Sequence, residues 1–196
     1  MNAVRGRAMK VYEVRHESNK YKTLLFEEGI VEFKHPLLKF DGEPVADRWS
    51  PPGVGCHSPK KKAGDFWGIG SCCVPAVTRA AYPLVQTHAE MGGEILPLTF
   101  EGVELLILNV TEVINCLDHE KCKWHDDGVT RRLNIDAGYH FRPERFSESS
   151  LFRLPETCRS TRLYCVERSG DPEEDFKAAV ESANLKGLQF KLIWQG

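Results

Sequence analysis

The sequence lacks a long hydrophobic run, an excess of either charge, a visible export signal and the compact signatures of common enzymes. Its longest apolar stretch, Val103–Val110, is interrupted by Glu104 and falls far short of the roughly 20 residues a membrane-spanning helix needs. Lys and Arg number 26 against 28 Asp and Glu, for a formal net charge of −2. That balance removes the bulk electrostatic signature of a nucleic-acid binder. Residues 1–10 carry basic side chains with no apolar segment behind them, so a cytoplasmic location is expected. There is no P-loop, no dinucleotide-type glycine fingerprint, no HExxH and no GxSxG.

What is present is a foldable composition. The chain has 196 residues, 41% of them hydrophobic, enough to bury a sizeable core without cross-links. One domain is expected over residues 9–196, preceded by a loose extension over residues 1–8 that shows no periodicity. Seven cysteines are an odd number in a chain this large. Without an export signal they read as reduced thiols, most of them small buried hydrophobes.

Short apolar runs alternate with turn residues. Strands are expected from Met9, at residues 23–26 and 30–33 as a hairpin across Glu27-Glu28-Gly29, and at residues 162–167. The Gly- and Pro-rich stretch 41–70 reads as an extended loop pinned by Trp49, Phe66 and Trp67. Helical spacing of Val77, Ala80, Ala81, Leu84, Val85 and His88 predicts a longer mid-chain helix over residues 74–91, kinked or split by Pro83. Residues 94–100 and 103–110 around Glu101-Gly102 give the clearest hairpin signal. Thr111 is placed to cap a short helix, and residues 131–141 suggest a hairpin across Asp136-Ala137-Gly138. Asp171, Pro172 and Glu174 form a capping box for a C-terminal helix carrying Phe176, Ala179, Val180 and Ala183, followed by a strand. The expected class is α+β with a mostly antiparallel sheet.

Two constellations invite a chemical reading. Cys116, His119, Cys122 and His125 are all zinc-ligand types at intervals of three. Structural zinc sites join two short-spaced pairs through a longer insert, and four ligands in ten residues leave little chain to close a tetrahedron. The expectation is therefore no cofactor, with a small zinc-binding module as the alternative. A thiol enzyme would need a cysteine with a lowered pKa and a positioned base, which the adjacency of Cys56 and His57 does not supply.

Charge is segregated along the chain. Residues 84–128 contain nine acids and two lysines, and residues 129–168 contain eight arginines and five acids. An acidic surface of this kind suits docking of a basic partner, since electrostatic complementarity speeds association and selects the partner.

MKVYEV, Trp49 with Pro51, Gly64-Asp65-Phe66, GGEILPLTF, LLILNVTEVINCLD, SLFRLP and GLQFKLIW together resemble bacterial immunity proteins of polymorphic toxin systems, the group known as immunity protein family eleven. The resemblance runs from Met9 to Trp194. It implies a cytoplasmic, non-catalytic protein that binds and neutralises a cognate protein toxin, without nucleic acid, membrane or cofactor. Among its polar positions, Asp65, Glu94, Asn109 and Asp118 read as caps and internal hydrogen-bond partners. The Cys/His-rich insert after Asp118 departs from the family pattern.

The toxin-binding residues expected from charge and exposure are Asp118, Glu120, Trp124, Asp126 and Asp127, with Trp124 as anchor and the carboxylates facing a basic, nuclease-like toxin. Trp49 and Trp67 of the long loop are the second candidate surface.

Overall fold

The computed structural model describes residues 8–27, 32–126, 131–136 and 138–196. Residues 1–7 of the expected extension, Gly29, Ile30 and Val31 of the expected first hairpin, Ala137 of the expected later turn and Asp127 lie outside the described residues.

Among the described residues, the elements are β1 (Lys10–His16), β2 (Thr23–Phe26), β3 (Val54–Cys56), β4 (Phe66–Ile69), β5 (Val74–Thr78), α1 (Gln86–Gly92), β6 (Gly93–Phe100), β7 (Val103–Val110), β8 (Trp124–Asp126), β9 (Arg131–Leu133), β10 (Leu151–Phe152), β11 (Leu163–Glu167), α2 (Phe176–Ser182) and β12 (Leu188–Gln195). The fold is α+β and mostly antiparallel, and a C-terminal helix is followed by a strand. One sheet has the order β3-β2-β4-β5-β7-β6, a second has β10-β11-β1-β12, and β8-β9 form a separate ribbon. The pairing of β2 with β4 is parallel.

Both sheets are covered on both faces, which explains why β7 reads as an unbroken apolar run rather than an alternating one. Leu106, Leu108 and Val110 of β7 join Tyr12 and Val14 of β1, Leu163 and Cys165 of β11, and Phe176, Ala179 and Val180 of α2. On the opposite face of β7, Leu105 and Ile107 pack with Leu38, Phe40 and Val45. On the far side of the four-stranded sheet, Val11, Tyr164 and Val166 meet Cys116, Leu117, Tyr139, Phe141 and Phe152.

The hairpin of β6 and β7 forms with the expected register, Phe100 opposite Val103. Glu101 and Gly102 both take positive φ, 49° and 79°, the backbone that a two-residue hairpin turn requires.

Several expectations are corrected. The longer mid-chain helix over residues 74–91 does not exist: Val74–Thr78 is a strand, and α1 spans seven residues. Val74, Ala76 and Val77 are buried between β4 and β7, and β-branched residues sandwiched in this way favour the sheet over helical spacing. A short turn at Tyr82–Leu84, with Pro83 inside it, makes the transition. Residues 41–70 contain two strands, β3 and β4, because Phe66, Trp67 and Ile69 are core residues. β2 pairs with β3 and β4 rather than with a hairpin partner, and Glu32–Lys34 form a single helical turn.

Residues 111–117 run extended, bridging Arg153 through Val113 and Phe141 through Leu117, so Thr111 caps no helix. β9 pairs with β8, not with residues 139–141. The C-terminal helix starts four residues later than the capping box suggests. Asp171 instead closes a turn, its carbonyl accepting the amides of Glu174 and Asp175. The helix ends at Ser182 with Ala183 as its cap; just beyond it Asn184 takes φ 55°, and the Leu185 amide donates to the Val180 carbonyl.

Candidate interaction surfaces

The expected ligand set of the insert does not converge. Cys116 is fully buried and Cys122 is nearly so. The Cys122 thiol exchanges weak hydrogen bonds with the His140 backbone at 3.4–3.5 Å. His119 is exposed and meets Glu156 at 2.5 Å, and His125 lies on β8 opposite Arg132. Among the described residues no group of three or more metal-ligating side chains comes together. The spacing of three fails for a geometric reason: the segment is a turn, not a helix, so successive ligand types point inward and outward in alternation.

Four of the thiols are poorly suited to nucleophilic work. Burial pushes Cys116 up to about 12 and Cys165 well above its ordinary value. Burial also raises Cys73 and Cys122. These shifts disfavour the thiolate that attack requires. Cys72 and Cys73 close a tight turn beside a groove of about 360 Å3 shared with His16, Arg15 and Arg162. His16 is 5% exposed and donates Nδ1–H to the Gly187 carbonyl at 2.9 Å. Burial lowers its pKa against the opposing pull of that carbonyl.

The acidic insert is more structural than its sequence suggests. Asp118 is 8% exposed and is held by Arg142 and Lys121, each at 3.2 Å. Burial would raise its carboxyl, but the hydrogen bonds from Lys121 and Arg142 outweigh it and hold the group below the usual carboxylate value. Trp124 is half-buried against the outer aromatic cluster. Its indole N–H donates to the His119 carbonyl at 3.0 Å, and its ring stacks edge-on with His119. Glu120 and Asp126 are exposed, Asp126 opposite Arg131 in the ribbon.

The second candidate surface is corrected. Trp67 is 3% exposed, its indole N–H donating to the Gly64 carbonyl. It is a core residue of β4, a strand whose four residues are all buried. Trp49 is partly buried against Phe40 and donates to the Pro97 carbonyl at 2.8 Å, pinning the loop to β6.

The polar residues Asp65, Glu94 and Asn109 are engaged inside the fold. The Glu94 carboxylate accepts the amides of Val45 and Ala46 and the side-chain amide of Asn109. Asn109 also donates to the Glu43 carbonyl. Asp65 accepts the Lys186 amide at 2.7 Å. These contacts fasten the loop before Trp49 and the start of β12 to the central sheet.

One cleft went unmarked by sequence reasoning. It measures about 510 Å3 and is lined by His88, Met91, Phe146, Ser147, Glu148, Ser150, Arg168, Glu173 and Glu174. Its walls are rigid. His88 Nε2 lies 2.9 Å from the Pro172 carbonyl, which can only accept, so Nε2 carries a proton. In the neutral ring Nδ1 then accepts from the Ser150 hydroxyl at 3.1 Å. Ser150 also accepts the Phe176 amide. Ser150 is 2% exposed, and although the pair lines the cleft, its polar atoms are committed to internal hydrogen bonds that tie α1 to the segment before α2.

Asp175, fully buried, supports the next turn by accepting the amides of Arg168, Ser169 and Gly170. The Arg168 guanidinium donates to the carbonyls of Ser147 and Ser149. Burial lowers its pKa, and Asp175 and Glu174 counter that. No local pattern announces this cleft, because its members come from three separate segments.

No helix among the described residues is long and apolar enough to cross a membrane. No family model matches the chain, and no curated protein matches it.

Proposed function

We propose that the protein is an immunity protein: it binds a cognate bacterial toxin in the cytoplasm of the producing cell and neutralises it by occupying the toxin's surface, without turnover of its own. The observation that carries this reading is how the family-like pieces divide between scaffold and surface. MKVYEV is β1, GGEILPLTF is β6, LLILNV lies in β7 and GLQFKLIW enters β12. The polar members of those pieces, Asp65, Glu94, Asn109 and Asp118, hold loops and strands together. They supply stability, which leaves partner recognition to charged groups outside them. The raised thiols of Cys73, Cys116, Cys122 and Cys165 and the internal hydrogen bonds that occupy the Ser150–His88 pair also favour a binding role over a catalytic one.

The test is co-expression with the product of the neighbouring reading frame, which this reading expects to be a polymorphic toxin. A neighbouring frame that encodes no toxin would count against the reading. Growth should be restored, and the two purified proteins should elute as a stoichiometric complex with the toxin chemically intact. Loss of toxin activity at substoichiometric amounts of this protein, with the toxin modified or cleaved, would establish catalysis instead.

A further inference from the structure

We propose that the cleft bounded by α1, residues 146–150 and residues 168–174 is the docking site for a cationic, apolar-flanked surface of the toxin. This deepens the immunity reading and rests on it. The first support is charge. Glu148, Glu173 and Glu174 line the cleft and are exposed. None of the three has a cation within ion-pair distance among the described residues. Elsewhere the acids close to bases are paired: Glu13 with Arg15 and Arg162, Glu167 with Lys10 and Lys177, Glu104 with Arg79. The sole cation lining the cleft, Arg168, is engaged by backbone carbonyls. Three carboxylates against one committed guanidinium leave a negative field facing outward.

The second support is the apolar rim. Met91, 47% exposed, and the half-buried Phe146 also line the cleft. An unbranched, polarizable side chain in that position adapts to a partner's contour, and Met is enriched at interfaces. A Lys or Arg entering between Met91 and the carboxylates would lay its methylene stem on the thioether and its charge against Glu148 or Glu173. The third support is preorganisation. The Ser150–His88–Pro172 brace and the Asp175 clamp fix both walls before binding, so little ordering cost falls on association.

Calorimetric titration of the toxin against which growth is restored in the co-expression test examines this with three proteins: wild type, the combined Glu148→Lys, Glu173→Lys and Glu174→Lys variant, and Glu120→Lys. Thermal melts verify that each is folded, and a milder Glu148→Gln, Glu173→Gln variant guards against misfolding of the triple. The proposal expects the charge-reversed cleft to bind about thirtyfold or more weakly, the neutralised cleft to bind several-fold more weakly, and Glu120→Lys to match wild type. Salt should weaken wild type more than the triple variant. Equal binding by wild type and a folded triple variant would overturn the cleft while leaving the immunity reading standing. No binding by wild type would overturn both.

Discussion

The molecule carries two acidic surfaces of opposite character. Around β8, Asp118 is clamped by Lys121 and Arg142, and Trp124 leans on the outer aromatic cluster. Along the cleft, Glu148, Glu173 and Glu174 extend from braced walls and, among the described residues, none closes an ion pair; Arg168, the cation lining the cleft, is held by backbone carbonyls. Linear charge density is highest in the first region, yet its most buried acid is a structural tie. Carboxylates separated by up to 26 residues in the chain converge in the second. The difference teaches that a charge run shows where acids were placed in the sequence, whereas availability depends on which bases the fold brings to them.

The contrast can be broken most sharply at the clamp beneath the cleft. Asp175→Ala strips a fully buried carboxylate from three backbone amides. It should cost about 3 kcal/mol or more, because three part-buried amides lose a charged acceptor at once. Chemical denaturation measures this, and a loss under about 1 kcal/mol would show that the cleft wall is not braced as described. Trp124→Ala should cost an intermediate amount, about 1–2 kcal/mol, since a half-buried indole forfeits packing and one hydrogen bond. An unchanged midpoint would return Trp124 to the pool of free surface anchors.

Acid titration sharpens the comparison at Asp118. Its folded pKa lies below its unfolded value of about 3.9, so its contribution is complete above that value and is lost as pH falls through the folded pKa. Melting temperature followed from pH 6 down to about pH 2.5 should therefore fall more gently for Asp118→Asn than for wild type. Parallel curves would mean the ion pairs with Arg142 and Lys121 are inconsequential. The smallest effect belongs to the cleft acids: Glu148→Gln and Glu173→Gln should each leave stability within about 0.5 kcal/mol, as unpaired exposed groups do.

Much of the scaffold was legible in the sequence. The β6–β7 hairpin was legible because Glu101-Gly102 supplies the turn, and the apolar face of α2 because Phe176, Ala179 and Val180 repeat at helical spacing. Residues 74–91 misled because their apolar residues serve a sheet buried on both faces, where spacing carries no period. The capping box at Asp171 misled in a different way: the same residue types make a turn, and the deeper Asp175 serves the preceding loop instead of the helix. The structural roles of Glu94, Asn109 and Asp65 were anticipated as internal partners. The cleft was not, since its groups are neighbours only after folding.

Hydrogen exchange on the toxin complex compares the two acidic surfaces within one measurement. If the protein neutralises its toxin through the cleft, amides of residues 147–150 and 168–174 slow on complex formation, while those of residues 118–126 exchange at the rate of the free protein. Protection over residues 118–126 with the cleft unchanged would contradict the account and return the interface to the acidic insert.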